Sequence, residues 1–256
     1  MQLVEKEAVR RYWNAAPCGT PDVADAQQTR KFRELERIRY EREPFIPRFA
    51  GFEESHGKSL LEVGVGAGTD HLRFARSGAL CTGIDLSEVS LETTRRRLLA
   101  EGLASDLRVA DVESLPFADG SFDRVYSWGV IHHTPDTPRA AREILRVLRP
   151  GGRLCVMVYN RHSIVAGQAW LVHAALRGQP MRSLTDVLAH HMESPGTKGY
   201  TTAEARALFE GVRELSVETV VTPYDMRVGR RRFLPRWTQR AVPKRLGWFH
   251  VITGTK

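Results

Sequence analysis

Residues 61–70 read LEVGVGAGTD, an apolar run that leads directly into three alternate glycines, Gly64, Gly66 and Gly68. Because glycine has no Cβ atom, such a loop after a strand can turn tightly and approach a ligand closely. A dinucleotide-binding loop requires G-x-G-x-x-G, but counting from Gly64 the sixth position is Thr69. The loop is therefore predicted to hold a different nucleotide-like ligand.

The charges around the glycine loop argue against a pyrophosphate. Glu62 precedes the glycines and Asp70 follows them, whereas an anion prefers a helix N-terminus without competing carboxylates. We interpret Asp70 as a cap of the following helix. Asp85, in TGIDLS, ends the next predicted strand, where a carboxylate can accept both hydroxyls of a ribose. The sequence thus predicts a cationic nucleoside, and S-adenosylmethionine combines adenosine with an ammonium and a sulfonium.

Short apolar runs alternate with helical segments from Ser59 onward. This alternation predicts an α/β fold, with a doubly wound, seven-stranded, mostly parallel sheet. The last two strand candidates, ELSVETVVT and GWFHVITGT, are separated by a basic, loop-rich stretch and not by a clear helix. The last strand is therefore predicted to enter antiparallel, as a hairpin-like addition to the sheet edge.

Two helical segments accompany the predicted sheet. Residues 1–55 are predicted to form an N-terminal helical cap, and residues 56–256 the sheet domain, with a helical lid insertion at about 163–211. Ligands of open α/β sheets bind beyond the carboxyl ends of the strands. Both helical segments can therefore cover the ligand.

Four ordered motifs between about Ser59 and Tyr159 resemble those of class I S-adenosylmethionine-dependent methyltransferases. They are LEVGVGAGTD, GIDLS, ADVESLPFADGSFDRVYSWGVIHHTPD and EILRVLRPGGRL. Their order and spacing resemble the methyltransferase type 11 group, which includes ubiquinone and menaquinone C-methyltransferases and many natural-product O-methyltransferases. The resemblance implies a Rossmann-like methyltransferase fold, with S-adenosylmethionine as cofactor and S-adenosylhomocysteine as product.

The resemblance also implies cofactor-binding positions. The glycine loop would lie against the methionine part, with Glu62 and the carbonyl of Ser127 near its ammonium, and Asp85 would bind the ribose. The full set that it implies is Tyr12, Glu62, Gly64, Val65, Gly66, Gly68, Asp85, Leu86, Asp111, Val112 and Ser127.

On the adenine side, the resemblance implies that Leu86 flanks the ring and that Asp111 accepts a hydrogen bond from the amino group. The amide of Val112 would reach a ring nitrogen. The stretch RRYWNAAPCGT also matches some family members, which implies that Tyr12 closes over the cofactor.

The resemblance implies methyl transfer, an in-line displacement in which the cofactor carries the reactive group. A poor acceptor needs a base, and His132 and His133 are the histidines beside the predicted cofactor pocket. Natural-product O-methyltransferases of similar motif often use a histidine of this loop as base; the alternative is that the histidines only hold the loop in place. No metal site is predicted, because adjacent histidines point apart and no third ligand is evident. Candidate substrate-binding residues are Trp128, Tyr159 and Arg161.

The function predicted from the sequence is transfer of a methyl group from S-adenosylmethionine to a small-molecule acceptor, first at oxygen and next at nitrogen or carbon. One alternative is an RNA methyltransferase. Another is a protein that binds S-adenosylmethionine without turnover.

The net charge of +8 comes from the C-terminal segment. Between Pro223 and Lys256, nine basic residues accompany a single acid, Asp225. Three interpretations are open: a solvated loop, a site for an acidic small-molecule substrate, or an RNA groove. RNA is disfavoured because the rest of the chain is neutral. A membrane role is disfavoured because the segment lacks an amphipathic helical stripe and contains Pro235 and Pro243.

Bulk composition is typical of one globular α/β domain, with 256 residues of which 42% are hydrophobic. The N-terminus lacks the apolar core of a signal peptide, and the longest apolar stretch is too short to span a bilayer. We therefore expect a cytoplasmic protein without a membrane span, as a monomer or homodimer. The cysteines Cys18, Cys81 and Cys155 form no Cys-x-x-Cys pair, which argues against a disulfide framework.

Overall fold

The computed structural model describes residues 2–15, 25–228 and 232–256, so Cys18, Arg230 and Arg231 lie outside the described residues. Its main feature is a seven-stranded sheet with helices on both faces. The sheet strands are β1 (Ser59–Val63), β2 (Leu80–Asp85), β3 (Asp106–Val109), β4 (Phe122–Trp128), β5 (Leu148–Tyr159), β6 (Arg213–Val220) and β9 (Phe249–Thr255). A separate antiparallel pair consists of β7 (Arg227–Val228) and β8 (Arg232–Phe233).

The strand order is β3-β2-β1-β4-β5-β9-β6, and β9 is antiparallel to both of its neighbours. The predicted α/β sheet with an antiparallel last strand is confirmed. The expectation that this strand extends the sheet edge was wrong, because β9 is inserted between β5 and β6. Burial explains the placement: most of β9 is buried, whereas β6 is partly exposed along its length, as suits an edge strand.

Helices precede, connect and follow the parallel strands. The N-terminal helices are α1 (Gln2–Ala15), α2 (Asp25–Arg42) and α3 (Ile46–Ala50); the crossover helices are α4 (Thr69–Arg76), α5 (Glu88–Leu99) and α6 (Thr137–Val147); and α7 (Ile164–His173), α8 (Leu184–His191) and α9 (Thr202–Ala207) lie between β5 and β6. The last three each start at a hydroxyl cap, Ser163, Ser183 or Thr201, whose oxygen accepts a backbone N–H three residues on. Division into a cap at 1–55, a sheet domain and a lid at about 163–211 remains a proposal.

Two hydrophobic clusters cover the two faces of the sheet. Successive residues of a strand point to opposite faces, and Leu60 and Leu61 of β1 accordingly belong to different clusters. One cluster includes Ile144 of α6, and the other includes Phe74 of α4. Within the described residues, no helix combines the length and apolar content needed to cross a bilayer.

His250 of β9 makes the stability of the fold depend on pH. Its Nδ1 lies 2.9 Å from Thr219 Oγ1 and its Nε2 lies 3.2 Å from the carbonyl oxygen of Tyr200. The carbonyl can only accept, so Nε2 carries the proton and the ring is neutral. Burial lowers the pKa of His250 to about 4.

We expect the free energy of unfolding to fall as the pH is lowered from about 6.5, the pKa of an unfolded-state histidine, to about 4, by up to about 3 kcal/mol from this residue. The reason is that the unfolded chain binds this proton at a higher pH than the folded chain does. Urea unfolding across this range should give a shallower pH dependence for His250→Gln than for the wild type. The exposed His56 provides the control: an equal change of slope in His56→Gln would contradict the assignment to His250.

Candidate functional site

A cavity of about 530 Å³ opens at the carboxyl ends of the parallel strands. Its lining comes from the glycine loop, from the ends of β2, β3, β4 and β5, from β9, and from α1 and α2. This is the edge at which open α/β sheets bind ligands, and the volume suits a small molecule. The cavity is therefore the candidate site.

Backbone geometry requires the glycines of the loop after β1. Gly64 has φ +78°, and a Cβ atom there would lie 2.2 Å from Cγ2 of Val130. Gly68 has φ +71°, and a Cβ atom there would lie 2.7 Å from Oγ1 of Thr94 on α5. Gly64 lines the cavity, whereas Gly68 does not. Gly68 therefore serves the packing of the loop against α5.

Asp85 connects the end of β2 to the glycine loop. Its Oδ2 accepts a hydrogen bond from the amide of Gly66 at 3.0 Å, and its Oδ1 accepts one from the amide of Ser87 at 2.8 Å. Burial raises the pKa of Asp85, although these amide hydrogen bonds oppose the shift. Each oxygen retains a further lone pair, so the carboxylate can also accept a pair of ligand hydroxyls.

The wall below the glycine loop is acidic. Oε2 of Glu62 lies 2.9 Å from Nδ1 of His71, and Asp70 and Asp85 complete the acidic side of the cavity. Burial, with Asp70 and Asp85 nearby, raises the pKa of Glu62 well above its usual range. A bound cation would relieve this repulsion. The residues present therefore fit a nucleoside that carries positive charge.

Asp70 does not cap α4, so that interpretation was wrong. The N-cap is Gly68, without a side-chain cap. Both Asp70 oxygens accept hydrogen bonds from Arg39 of α2, and the carboxylate also accepts from the hydroxyls of Tyr40 and Tyr126 at 2.9 and 2.7 Å. Burial by itself would raise the pKa of Asp70, but Arg39 and the two hydroxyls hold it below its usual value. Asp70 of α4 thus links α2, which carries Arg39 and Tyr40, to β4, which carries Tyr126.

Helix α1 covers the adenine side of the predicted cofactor site. Nζ of Lys6 donates to Oδ2 of Asp111 at 2.6 Å and lies 2.5 Å from Oε2 of Glu113. Lys6 and Trp13 line the cavity, seven residues apart on one face of the helix. Tyr12, the predicted residue, does not line it; its ring contacts that of Trp13, with the centroids 5.0 Å apart. Successive helical residues point about 100° apart, which explains the one-residue difference.

Most of the predicted site residues lie together at the cavity. Those that line it are Glu62, Gly64, Val65, Gly66, Asp85, Leu86, Asp111, Val112, Trp128, His133 and Tyr159. Those that do not are Tyr12, Gly68, Ser127, His132 and Arg161. Ser127 lies within the sheet, paired with Val63 and Val156. The guanidinium of Arg161 instead donates to the carboxylate of Glu204 at 2.8 Å. Arg161 is therefore not part of the proposed substrate site.

The structure separates the two candidate bases. His132 is fully buried and its ring packs on Tyr159, with centroids 3.9 Å apart. Burial, with the nearby charges of His133 and Lys198, lowers the pKa of His132 well below its usual value. His132 has no access to a ligand in the cavity, so we do not propose it as the base. His133 lines the cavity.

Both ring nitrogens of His133 have neighbours. Nε2 lies 3.1 Å from Oε2 of Glu193, and Nδ1 lies 3.0 Å from Oγ of Ser194 and 2.9 Å from Oγ1 of Thr197. The hydroxyl of Thr197 donates to the carbonyl oxygen of Ser194 at 2.7 Å, so it can only accept from Nδ1, whereas the hydroxyl of Ser194 can donate to Nδ1. His133 thus lies at the cavity wall with Nδ1 towards Ser194 and Thr197 and Nε2 beside the carboxylate of Glu193.

Glu193, which the sequence analysis missed, lies shortly after α8 and lines the cavity. Its Oε2 also accepts a hydrogen bond from the hydroxyl of Tyr159 at 2.8 Å. Burial by itself would raise the pKa of Glu193, but the hydrogen bonds from His133 and Tyr159 lower it. The backbone of Glu193 has φ +47°, a conformation that is costly for this residue type. No sequence pattern marks the residue, because its partners come from the short 3₁₀ segment after β4 and from the end of β5, both distant in the chain.

The far end of the cavity is aromatic. The rings of Tyr159 and Trp248 stack with centroids 4.1 Å apart, and the guanidinium of Arg39 lies 5.3 Å from the ring centroid of Trp128. Tyr224 and Phe249 complete this end. Flat apolar walls with a carboxylate at one side suit an apolar ligand that carries a polar group.

Comparison with known proteins identifies the family. The profile of the methyltransferase domain matches residues 61–156. The 27-O-demethylrifamycin SV methyltransferase of Amycolatopsis mediterranei is 31% identical over 196 residues, which cover 69% of this chain and 71% of that protein. The chain belongs to the class I S-adenosylmethionine-dependent methyltransferases. S-adenosylmethionine is the cofactor of this family, as the acidic wall and Asp85 suggest.

Other relatives match this methyltransferase over shorter stretches or by fold. Methyltransferase GfsG of Streptomyces halstedii is 42% identical over 105 residues, which cover 40% of this chain and 38% of GfsG. The chain spans less than half the length of several such curated relatives. Magnesium protoporphyrin IX methyltransferase from Synechocystis PCC 6803 shares the fold, with a TM-score of 0.59, 14% identity and coverage of 98% of this chain and 99% of that chain. The Rossmann-like fold of this methyltransferase is thereby confirmed.

Proposed function

We propose that the chain transfers a methyl group from S-adenosylmethionine to a hydroxyl oxygen of a small apolar acceptor. The observation that carries this proposal is the position of Glu193. Its carboxylate, supported by His133 and Tyr159, faces the same cavity as Glu62 and Asp85. A proton acceptor and the proposed nucleoside site therefore line the same cavity.

The cofactor half of the cavity would bind through groups whose geometry is already fixed. Asp85 would accept the ribose hydroxyls, and the acidic wall of Glu62 would lie near the positive charge of the methionine part. Asp111, Leu86 and Val112 would contact the adenine. Lys6 now occupies one oxygen of Asp111, so adenine would have to share that oxygen or displace Lys6. These assignments rest on the resemblance and on the shared cavity.

S-adenosylmethionine, when bound, supplies a methyl group on its sulfonium. The sulfur is the leaving group of an in-line displacement. The residues of this chain then have two tasks. The aromatic walls, including Trp128 and Tyr159, hold the acceptor and exclude water. Glu193 takes the proton of the acceptor hydroxyl as the new oxygen–carbon bond forms. His133 would be a positioning residue, since its Nε2 lies 3.1 Å from the carboxylate of Glu193.

Oxygen is favoured over carbon by the carboxylate, and over nitrogen by the names of relatives. A hydroxyl donates one hydrogen bond that a carboxylate can accept and then take up as a proton. Rifamycin, tocopherol and ubiquinone O-methylation appear in the names of relatives, which supports a small molecule over RNA. The enclosed aromatic end of the cavity supports the same choice.

The experiment that tests the proposed function supplies the purified chain with methyl-labelled S-adenosylmethionine and a metabolite extract. We expect a labelled small molecule whose added methyl is lost under ether or ester cleavage, as an O-methyl group is. Labelled RNA from total cellular RNA would instead support the RNA alternative. Cofactor binding by calorimetry without any labelled product from either source would support the non-catalytic alternative.

A further inference from the structure

Apolar side chains from two distant segments are exposed beside the acceptor end of the cavity. Leu171 and Val172 lie on α7, and Phe233, Leu234 and Trp237 lie in or directly after β8. These five residues, which we call the apolar patch, are each 41–72% exposed, Trp237 most of all. Single exposed apolar residues are ordinary, but a contiguous group of them marks an interaction surface.

A hydrogen bond joins the two segments that carry the patch. Nε2 of Gln168 on α7 donates to the carbonyl oxygen of Arg227 at 3.1 Å. Leu171 and Val172 follow Gln168 by three and four residues, so they share its side of the helix. Arg227 in turn pairs with Phe233 across β7 and β8. The exposed side of α7 and the β7–β8 pair therefore adjoin.

The patch borders the cavity through Phe233. The guanidinium of Arg42 lies 5.3 Å from the centroid of the Phe233 ring, and the ring of Tyr224 lies 6.5 Å from it. Both Arg42 and Tyr224 line the acceptor end of the cavity. A surface docked on the patch would thus lie next to the acceptor.

The C-terminal segment that carries Phe233, Leu234 and Trp237 is strongly positive in sequence. The segment from Pro223 to Lys256 carries nine basic residues and one acid, and Arg240, Lys244 and Arg245 are exposed in it. Exposed aromatic and aliphatic side chains flanked by arginine and lysine are the composition that enters the headgroup region of an anionic bilayer. We propose that the apolar patch docks this protein onto an anionic lipid membrane, with the acceptor end of the cavity facing the lipid.

The docking surface was not visible in the sequence. An amphipathic stripe in one helix is the usual sequence signal for such binding, and the C-terminal segment has none. The apolar side chains come instead from α7 and from β8 and the residues that follow, which meet only in the folded chain. Pro235 does not interrupt a helix here, since it precedes the short 3₁₀ segment Arg236–Ala241.

The consequence for the substrate rests on the proposed function: the acceptor would be a bilayer-soluble molecule that enters the cavity without crossing bulk water. The docking itself does not depend on that function. It can be measured without an acceptor and without turnover, so failure of one proposal is distinguishable from failure of the other.

The test is co-flotation of the purified chain with vesicles of phosphatidylcholine alone or mixed with phosphatidylglycerol. We expect binding to the anionic vesicles that weakens with added salt. Trp237→Glu should lower this binding about tenfold, because a charge replaces a side chain that enters the lipid interface. Leu99→Glu is the matched control, since Leu99 is 65% exposed but ends α5, beside β2 and β3 at the other side of the sheet.

Three outcomes would overturn the docking proposal. The first is no flotation with anionic vesicles at low salt. The second is an equal loss of binding in Leu99→Glu. The third is a concentration-dependent dimer, seen by analytical ultracentrifugation, that Trp237→Glu dissociates while vesicle binding is absent, which would assign the patch to a second copy of the chain. Unchanged S-adenosylhomocysteine binding by calorimetry shows that each variant is folded.

Discussion

Asp85→Ala should weaken S-adenosylmethionine binding by about two to four orders of magnitude, because it would remove the two hydrogen bonds that we propose the carboxylate accepts from the ribose, each contributing about 1.5–3 kcal/mol. The carboxylate also accepts the amides of Gly66 and Ser87. Its removal therefore disturbs the glycine loop in addition to the ribose contact. Titration calorimetry with S-adenosylmethionine and with S-adenosylhomocysteine measures the loss.

The control for this experiment is Asp119→Ala, at a side chain that is 82% exposed and pairs with Arg146 away from the cavity. Thermal unfolding of both variants shows whether either is misfolded. A folded Asp85→Ala variant with wild-type affinity would remove the ribose assignment. It would leave the methyltransferase family intact, because the family rests on the sequence match.

Glu193→Gln should lower kcat by about 100-fold or more, the usual contribution of a general base, while S-adenosylmethionine affinity stays unchanged. The amide keeps the size of the side chain and its hydrogen bond from Tyr159, but it cannot take a proton. His133→Asn should have a smaller effect, about tenfold, since it acts only by positioning Glu193. Rates are measured with saturating cofactor and the acceptor identified by methyl labelling.

Glu210→Gln, at an exposed carboxylate shortly after α9, controls for the loss of a negative charge near the lid. Wild-type turnover in Glu193→Gln would contradict the base assignment and indicate that alignment of the acceptor suffices. A full loss in His133→Asn with little effect in Glu193→Gln would assign the base to His133. Cofactor affinity, measured for all three variants, separates loss of chemistry from loss of lid position.

The local part of the site could be predicted from the sequence because its signals are local. The glycines follow β1 directly, and Asp85 ends the next strand, so chain order alone brings them to one edge of a parallel sheet. The histidine pair follows β4 in the same way. His132 and His133 could not be distinguished, however, because accessibility depends on which side of the loop packs against Tyr159.

The sequence by itself determined the fold class, the antiparallel last strand and the cofactor class, since hydrophobic periodicity and strand-end motifs are properties of neighbouring residues. Only the tertiary structure decided that Asp70 pairs with Arg39 and does not cap α4, and that Glu193 lies beside His133. It also decided that β9 lies inside the sheet and that α7 adjoins the β7–β8 pair. These are contacts between segments far apart in the chain. Their geometry follows from packing of the whole core, which no local pattern encodes.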